Sequence, residues 1–346
     1  METLSRYDNV SIVRTKLDPI QDVLCWIGGL RSKGYVERIL RDIHGYKIKS
    51  SIEPRALSIS RHAETAVNLL NQGLNGPVET SFLPIYYGLL NLSKIYIICS
   101  KNYIKLKQRH NRKHGAEHRP HHGRPRYFMK DRVLLKKRGA IPLLYNTITG
   151  FDIPSKEYVV ELKDVYPYIV DVSFEHNFLH SERRLQICQF GIERNDAAGH
   201  FLRASFLSDQ IKGCQNKSIN QSLFGLSKEI SDGTFRSPRI IGNYDLVSKQ
   251  LKNNFRRYLL YDYIDNDNLY SYVPLSSKQL LLPEEIPLIL AFFHLSNIVR
   301  YNPDLLFELM DSQEWSMIQA LSRHGALRFM TLFWSYFQKT SVGFSY

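Results

Sequence analysis

The chain has 346 residues, 43% of them hydrophobic and 12% aromatic, which is enough for a packed core and excludes a chain disordered throughout. Its formal net charge is +13, and its four cysteines (Cys25, Cys99, Cys188, Cys214) show no CxxC spacing, which argues against a disulfide framework or a zinc ribbon. The first twenty residues lack the apolar run of a secretory signal, and the apolar stretch 83–99 is broken by Pro84, Asn91, Ser93 and Lys94, so a cytoplasmic protein without a membrane segment is expected.

Residues 1–55 read as a mixed N-terminal region with short helices over 20–27 and 35–43, closed by Pro54. Residues 56–108 form the first part of a helical core. Ile59, Ala63, Ala66, Val67 and Leu70 recur at helical spacing, with Gly73 where a C-cap belongs. The next helix, over 81–103, is apolar on nearly every face. It therefore belongs in the middle of a bundle, with Pro84 in its first turn. Residues 109–138 are basic, rich in His and Arg, and have almost nothing aliphatic at their centre; a surface loop or arm is expected.

Residues 139–245 form a β-containing middle region. Strand-like runs occur at 133–137, just ahead of it, and at 158–165. Leu185–Ile192 alternates, Asn195-Asp196 and Gly199 can turn, and His200–Leu207 completes a hairpin. Residues 208–239 are polar and expected to be loop-rich. Residues 246–346 return to helix and pack on 56–108. An amphipathic helix is expected over Leu251–Tyr263 and a broad apolar face over Glu284–Arg300. Asn302-Pro303 opens a helix over Asp304–Met310, and Asp311 with Glu314 forms a capping box for the last one. The predicted fold class is α+β and predominantly α-helical, with N- and C-terminal helices forming a bundle around a small β-containing middle. No repeat period is present.

The charge is concentrated. Residues 101–138 hold fourteen Lys or Arg against Glu117 and Asp131, a net +12, so the other 308 residues sum to about +1. A segment of this kind attracts polyanions by releasing their counterions. Lys105, Lys107, Arg109, Arg112, Lys113, Arg119, Arg124, Arg126, Lys136, Lys137 and Arg138 are the candidate nucleic-acid contacts. Tyr127 supplies a ring on which a base can stack, which favours RNA or single strands.

LPIYYGLLNLSK (residues 83–94), His114-Gly115 and IPLILAFFHLSNIVRYNPDLLFELM (residues 286–310) together resemble the YaaC-like bacterial proteins. In that family an alanine-rich helix precedes a proline, a YYG or FYG step and a Leu/Asn-rich helix. The resemblance covers about residues 55–338. It implies a bacterial intracellular protein with this helical framework, and it carries over no activity.

Two motifs point to chemistry. Arg109 and His114 have the Arg-x-x-x-x-His spacing of HEPN-type ribonucleases, in which the cation stabilises charge at a phosphate and the imidazole moves a proton. Tyr87, Asn91, Lys94, His294, Asn297 and Arg300 are polar residues on otherwise apolar helices, and they mark either a pocket with Arg300 facing an anion or a buried hydrogen-bond network. His114 and His118 are spaced as metal ligands on a helix would be, but Gly115 and Pro120 oppose that helix and no nearby Asp completes a set, so neither metal nor cofactor is expected. P-loop, dinucleotide-binding, GxSxG and HExxH motifs are absent from the sequence. The expected function is nucleic-acid binding, as a subunit or effector of a bacterial defence or toxin-like system. A HEPN-like ribonuclease and a scaffold for an acidic protein partner stand as alternatives.

Overall fold

The computed structural model describes residues 2–3, 6–7, 9–14, 18–121, 128–154, 157–181, 185–195, 199–206, 228–231, 234–249, 251, 261–265, 268–274 and 282–345. Two short strands, β1 (Glu2–Thr3) and β2 (Asn9–Arg14), precede the first helices. Helix α1 (Pro19–Gly29) opens on Asp18, whose side chain accepts from the Ile20 amide at 2.9 Å, with Pro19 in its first turn. Helix α2 (Lys33–Asp42) opens on Ser32 in the same manner.

Helix α3 (Lys49–Leu74) runs through Pro54, which corrects the boundary expected there. Pro54 lies near the helix N-terminus, where its missing N–H forfeits one bond, and burial of Ile52, Arg55 and Ala56 on either side outweighs that loss. Helix α4 (Val78–Ile98) follows Pro77, so Pro84 sits inside the helix and not in its first turn. Gly73 is not a cap either. A Cβ there would lie 2.5 Å from Ile85 Cγ1, and one at Gly88, in the YYG step, would lie 2.6 Å from Leu70 Cγ. The two glycines let α3 and α4 approach closely, and the pair forms the spine of the bundle.

Helix α4 is central, as its all-round apolar pattern predicts. It packs against α3, α6 (Ala140–Thr149), α8 (Glu285–Tyr301) and α11 (Ala326–Gln338). The start of α8 is tied down by two ion pairs, the buried Arg6–Glu285 at 3.0 Å and the partly buried Arg328–Glu284 at 2.9 Å. Asn302 caps α9 (Pro303–Met310) by accepting from the Leu305 amide. The expected capping box after it does not form. Glu314 stands at the start of α10 (Trp315–Ala320) without a side-chain cap bond, and Asp311 ends α9. A π-helical turn, Leu321–Gly325, joins α10 to α11, and β12 (Thr340–Ser345) then pairs in parallel with β2.

The described residues of the basic segment, 101–121 and 128–138, are folded where a loop or arm was expected over 109–138, and residues 122–127 lie outside the described residues. The segment contains α5 (Tyr103–Leu106), a 3₁₀ turn at Arg109–Arg112, β3 (Ala116–Arg119) and β4 (Arg132–Lys136). Strands β3, β4 and β5 (Glu157–Glu161) make an antiparallel sheet. Gly115 and Gly139 cross backbone to backbone; both have positive φ, and a Cβ on Gly139 would lie 2.2 Å from Gly115 Cα. The first amides of α6 close this crossing, Ala140 donating to the Lys113 carbonyl at 2.8 Å and Ile141 to that of His114 at 3.0 Å. Sequence periodicity could not anticipate this, because the anchors are two glycines 24 residues apart.

In the remainder of the chain, β6 (Leu185–Asn195) and β7 (Gly199–Phe206) form the expected hairpin inside a seven-stranded sheet. Strands β8 (Lys228–Ser231) and β9 (Thr234–Arg236) occur where loop was expected. Residues 261–263, expected to be helical, belong to β10 (Tyr261–Asp265), which pairs with β11 (Asn268–Pro274). Tyr261, Tyr263 and Ile264 are aromatic or β-branched and favour a strand over the helix. Residues 207–227 and 252–260 lie outside the described residues. Helix α7 (Val170–His180) links the small sheet to the large one.

One packed histidine gives the fold a pH dependence. Burial pushes His44 down to about 4, Lys339 adds to this, and donation by Nε2 to the Phe337 carbonyl at 3.0 Å opposes it. The folded state therefore binds fewer protons than the unfolded chain between about pH 6.5 and 4, and stability falls as pH falls through that window, by up to roughly 3 kcal/mol. Urea midpoints at pH 7 and pH 4.5 should move apart less in His44→Gln than in the wild type. Identical shifts would remove His44 from the account.

Candidate functional site

Along α4, Tyr87, Asn91 and Lys94 fall at i, i+4 and i+7 and form the polar stripe of an otherwise buried helix. Two clefts open on this stripe. The larger, about 660 Å³, lies between α3, α4 and α5. Among the described residues its lining includes Arg61, His62, Asn91, Lys94, Tyr103, Lys107 and Arg112, and no carboxylate. Asn91 organises it, donating to the Tyr87 carbonyl at 2.8 Å and accepting from His62 Nδ1 at 2.8 Å. Burial, with Lys94 adding, holds His62 below its ordinary value and therefore neutral at pH 7. Burial also lowers Lys94, the one half-buried cation of the cleft. The ammonium of Lys107 lies 4.6 Å from the Tyr103 ring centroid, and Arg112 donates to the Lys107 carbonyl at 3.0 Å.

The smaller cleft, about 400 Å³, lies on the other side of the stripe and is lined by Tyr87, His114, His118, Asn297, Arg300 and Tyr301, among others. Arg300 donates to the Tyr87 hydroxyl at 3.4 Å. His114 stacks on Tyr86 with centroids 5.5 Å apart, and its Nδ1 accepts from the Tyr86 hydroxyl. Burial, Lys94 and Arg300 hold His114 below its usual value. The sign of charge across both clefts favours an anion, because the permanent cations outnumber Glu117, which is already engaged by Lys136 at 2.6 Å and Arg119 at 3.4 Å.

Beneath the smaller cleft lies a buried polar triad. Asp131 is wholly buried and accepts at Oδ2 from His118 Nε2 at 3.1 Å and from His294 Nε2 at 2.9 Å. Its other oxygen accepts from the His121 amide at 2.6 Å. Burial alone would raise the carboxyl, but these hydrogen bonds prevail and hold it well below the ordinary carboxylate range. The Tyr166 hydroxyl stands 3.5 Å from His294 Nδ1. The absence of a nearby Asp, read from the tract around His114 and His118, is thus corrected: Asp131 is 13 residues from His118 in sequence and directly against it in space. His294 arrives from α8, far along the chain.

The fold distributes the residues singled out by sequence. Lys107 and Arg112 line the larger cleft. Lys105, Arg109, Lys113, Lys137 and Arg138 are exposed on the surrounding surface and line neither cleft. Arg119 and Lys136 are engaged by Glu117, and the adjoining Arg132 pairs with Glu161 at 2.9 Å. Arg124, Arg126 and Tyr127 lie outside the described residues. The six-residue pocket is split: Asn91 and Lys94 face the larger cleft, Tyr87, Asn297 and Arg300 the smaller, and His294 is buried in the triad. Arg109 and His114 do not share a cleft lining.

Arg61 and His62 were missed. They lie on α3, outside the basic window, and only their helical phase relative to Asn91 could have marked them. A helix-dominated α+β protein with a cationic double cleft along its central helix is the class that fold and site define. The family model described as YaaC-like Protein matches residues 30–337, and the chain belongs to that family. Neither a curated protein nor a solved structure matches it. Among the described residues, no helix is long and apolar enough to cross a membrane.

Proposed function

We propose that this protein binds single-stranded nucleic acid, with the phosphate backbone lying in the larger cleft between α3, α4 and α5. The observation that carries the reading is the lining: among the described residues Arg61, Lys94, Lys107 and Arg112 converge there without a carboxylate, and Tyr103 is close enough to Lys107 for a cation–π contact. Four cations in one groove match a backbone of regularly spaced phosphates, and a bare groove of this kind grips charge without reading sequence. The exposed Lys105, Arg109, Lys113, Lys137 and Arg138 extend the field around the cleft and steer the polymer toward it.

The test is fluorescence anisotropy with labelled single-stranded RNA and DNA of mixed sequence, with an acidic peptide as competitor. Binding of the oligonucleotides at low salt, with no competition from equal charge on the peptide, is the expected result. Preferential binding of the peptide would replace this reading with a scaffold for an acidic protein partner. The same reactions, followed on a denaturing gel, report on cleavage by an Arg109/His114 pair, and intact RNA is expected because the two residues line no common cleft.

A further inference from the structure

We propose that His118, Asp131 and His294 form a binding site for a divalent transition-metal ion of the zinc, iron or manganese kind. Three donor atoms converge there: His118 Nε2, Asp131 Oδ2 and His294 Nε2 all lie within 4.8 Å of one another. The edges from Oδ2 to the two nitrogens are 3.1 and 2.9 Å. An ion about 2.0–2.2 Å from each ligand gives ligand–ligand edges of about 2.8–3.6 Å between right-angled and tetrahedral geometry, so the two carboxylate–imidazole edges are the size a cation needs. The rings stand at 74° to each other with centroids 4.9 Å apart, so both imidazole edges reach the carboxylate without stacking. Two histidines and one carboxylate on one face is a donor set that suits these ions and leaves coordination positions open.

The surroundings fit as well. The Asp131 oxygen that does not face the histidines accepts from the His121 amide, which fixes the carboxylate plane. Tyr166 stands at His294 Nδ1, the nitrogen that must carry the ring proton once Nε2 is a ligand. Asp131 and His294 are fully buried, while His118 is partly exposed and lines the smaller cleft beside His114 and Arg300. That cleft is the access path, and it brings an anionic ligand to the open side of the ion. The site is independent of the nucleic-acid reading.

The experiment uses the full chain stripped with a chelator, freed of it and titrated with Co²⁺, with Zn²⁺ as competitor. A single equivalent of Co²⁺ should bind, give a visible d–d absorption band and be displaced by Zn²⁺. His118→Ala, at a partly exposed strand position, should keep the metal-free melting temperature and lose at least ~100-fold in affinity, the upper end of what outer-sphere partners alone contribute. Asp131→Asn should lose as much, and His110→Ala, an exposed histidine outside the triad, should bind as the wild type does. A wild type with no stoichiometric Co²⁺ band, a His118→Ala protein with unchanged affinity, or loss of binding in His110→Ala would each overturn the assignment.

Discussion

Replacing Arg61, Lys94 and Arg112 together with Gln is expected to weaken single-strand binding about 100-fold near 0.1 M salt, on the scaling of ~0.7 counterions released per phosphate contact. All three line the larger cleft, and the triple variant leaves Lys107 as its permanent cation. Arg61 and Arg112 are exposed, and Lys94 is half-buried in a cleft with no carboxylate among the described residues of its lining, so Gln should be accommodated with little loss of stability. The matched control is Arg119→Gln with Lys136→Gln. Those cations are already engaged by Glu117, and freeing that carboxylate should cost far less affinity. Oligonucleotide titrations of both variants at one salt concentration separate cleft contacts from general charge. Equal losses in the two would mean that the field of the whole basic segment matters and the cleft does not.

The second large effect is on the fold. Gly139→Ala is expected to destabilise the protein by about 3 kcal/mol or more. Gly139 has φ 138° and ψ 175°, a region essentially closed to L-residues. Its new methyl would fall on backbone, at 2.2 Å from Gly115 Cα and 2.5 Å from Gly115 N, and backbone cannot swing aside as a side chain can. The crossing holds the Lys113 and His114 carbonyls on the first amides of α6, so the substitution should also loosen His114 and the β3 strand that follows. Gly45→Ala supplies the comparison. It also has positive φ, but a Cβ there meets nothing within 4 Å, and its cost should stay near 1 kcal/mol. Chemical denaturation of the two variants measures the difference, and similar midpoints would show that the crossing is not what fixes the segment.

The helical framework was legible because α4 and α8 carry long apolar runs that only the middle of a bundle can absorb, and Asn302-Pro303 marks a helix start through local chemistry. The limits of reading are equally physical. Local chemistry puts Pro54 at a boundary and Pro84 in a first turn, because a proline inside a helix costs one hydrogen bond, yet packing of α3 on α4 through Gly73 and Gly88 outweighs that cost. The basic segment looked like an arm because it offers little to bury. It is instead folded by a glycine crossing and a three-stranded sheet, whose partners are distant in sequence. Lys94 and Asn91 stood out as polar residues on an apolar helix. Arg61 and His62, across the cleft, and Asp131, against His118 and His294, did not, because contact between elements far apart in the chain leaves no periodic signal.

The central claim is that the groove between α3, α4 and α5 grips a chain of phosphates, and the slope of log affinity against log salt tests it most directly. For a single-stranded oligonucleotide, the wild type should show a slope of about −3, and the Arg61/Lys94/Arg112 variant should be shallower by about 2. A wild-type affinity that barely changes with salt, or two parallel lines, would contradict the account.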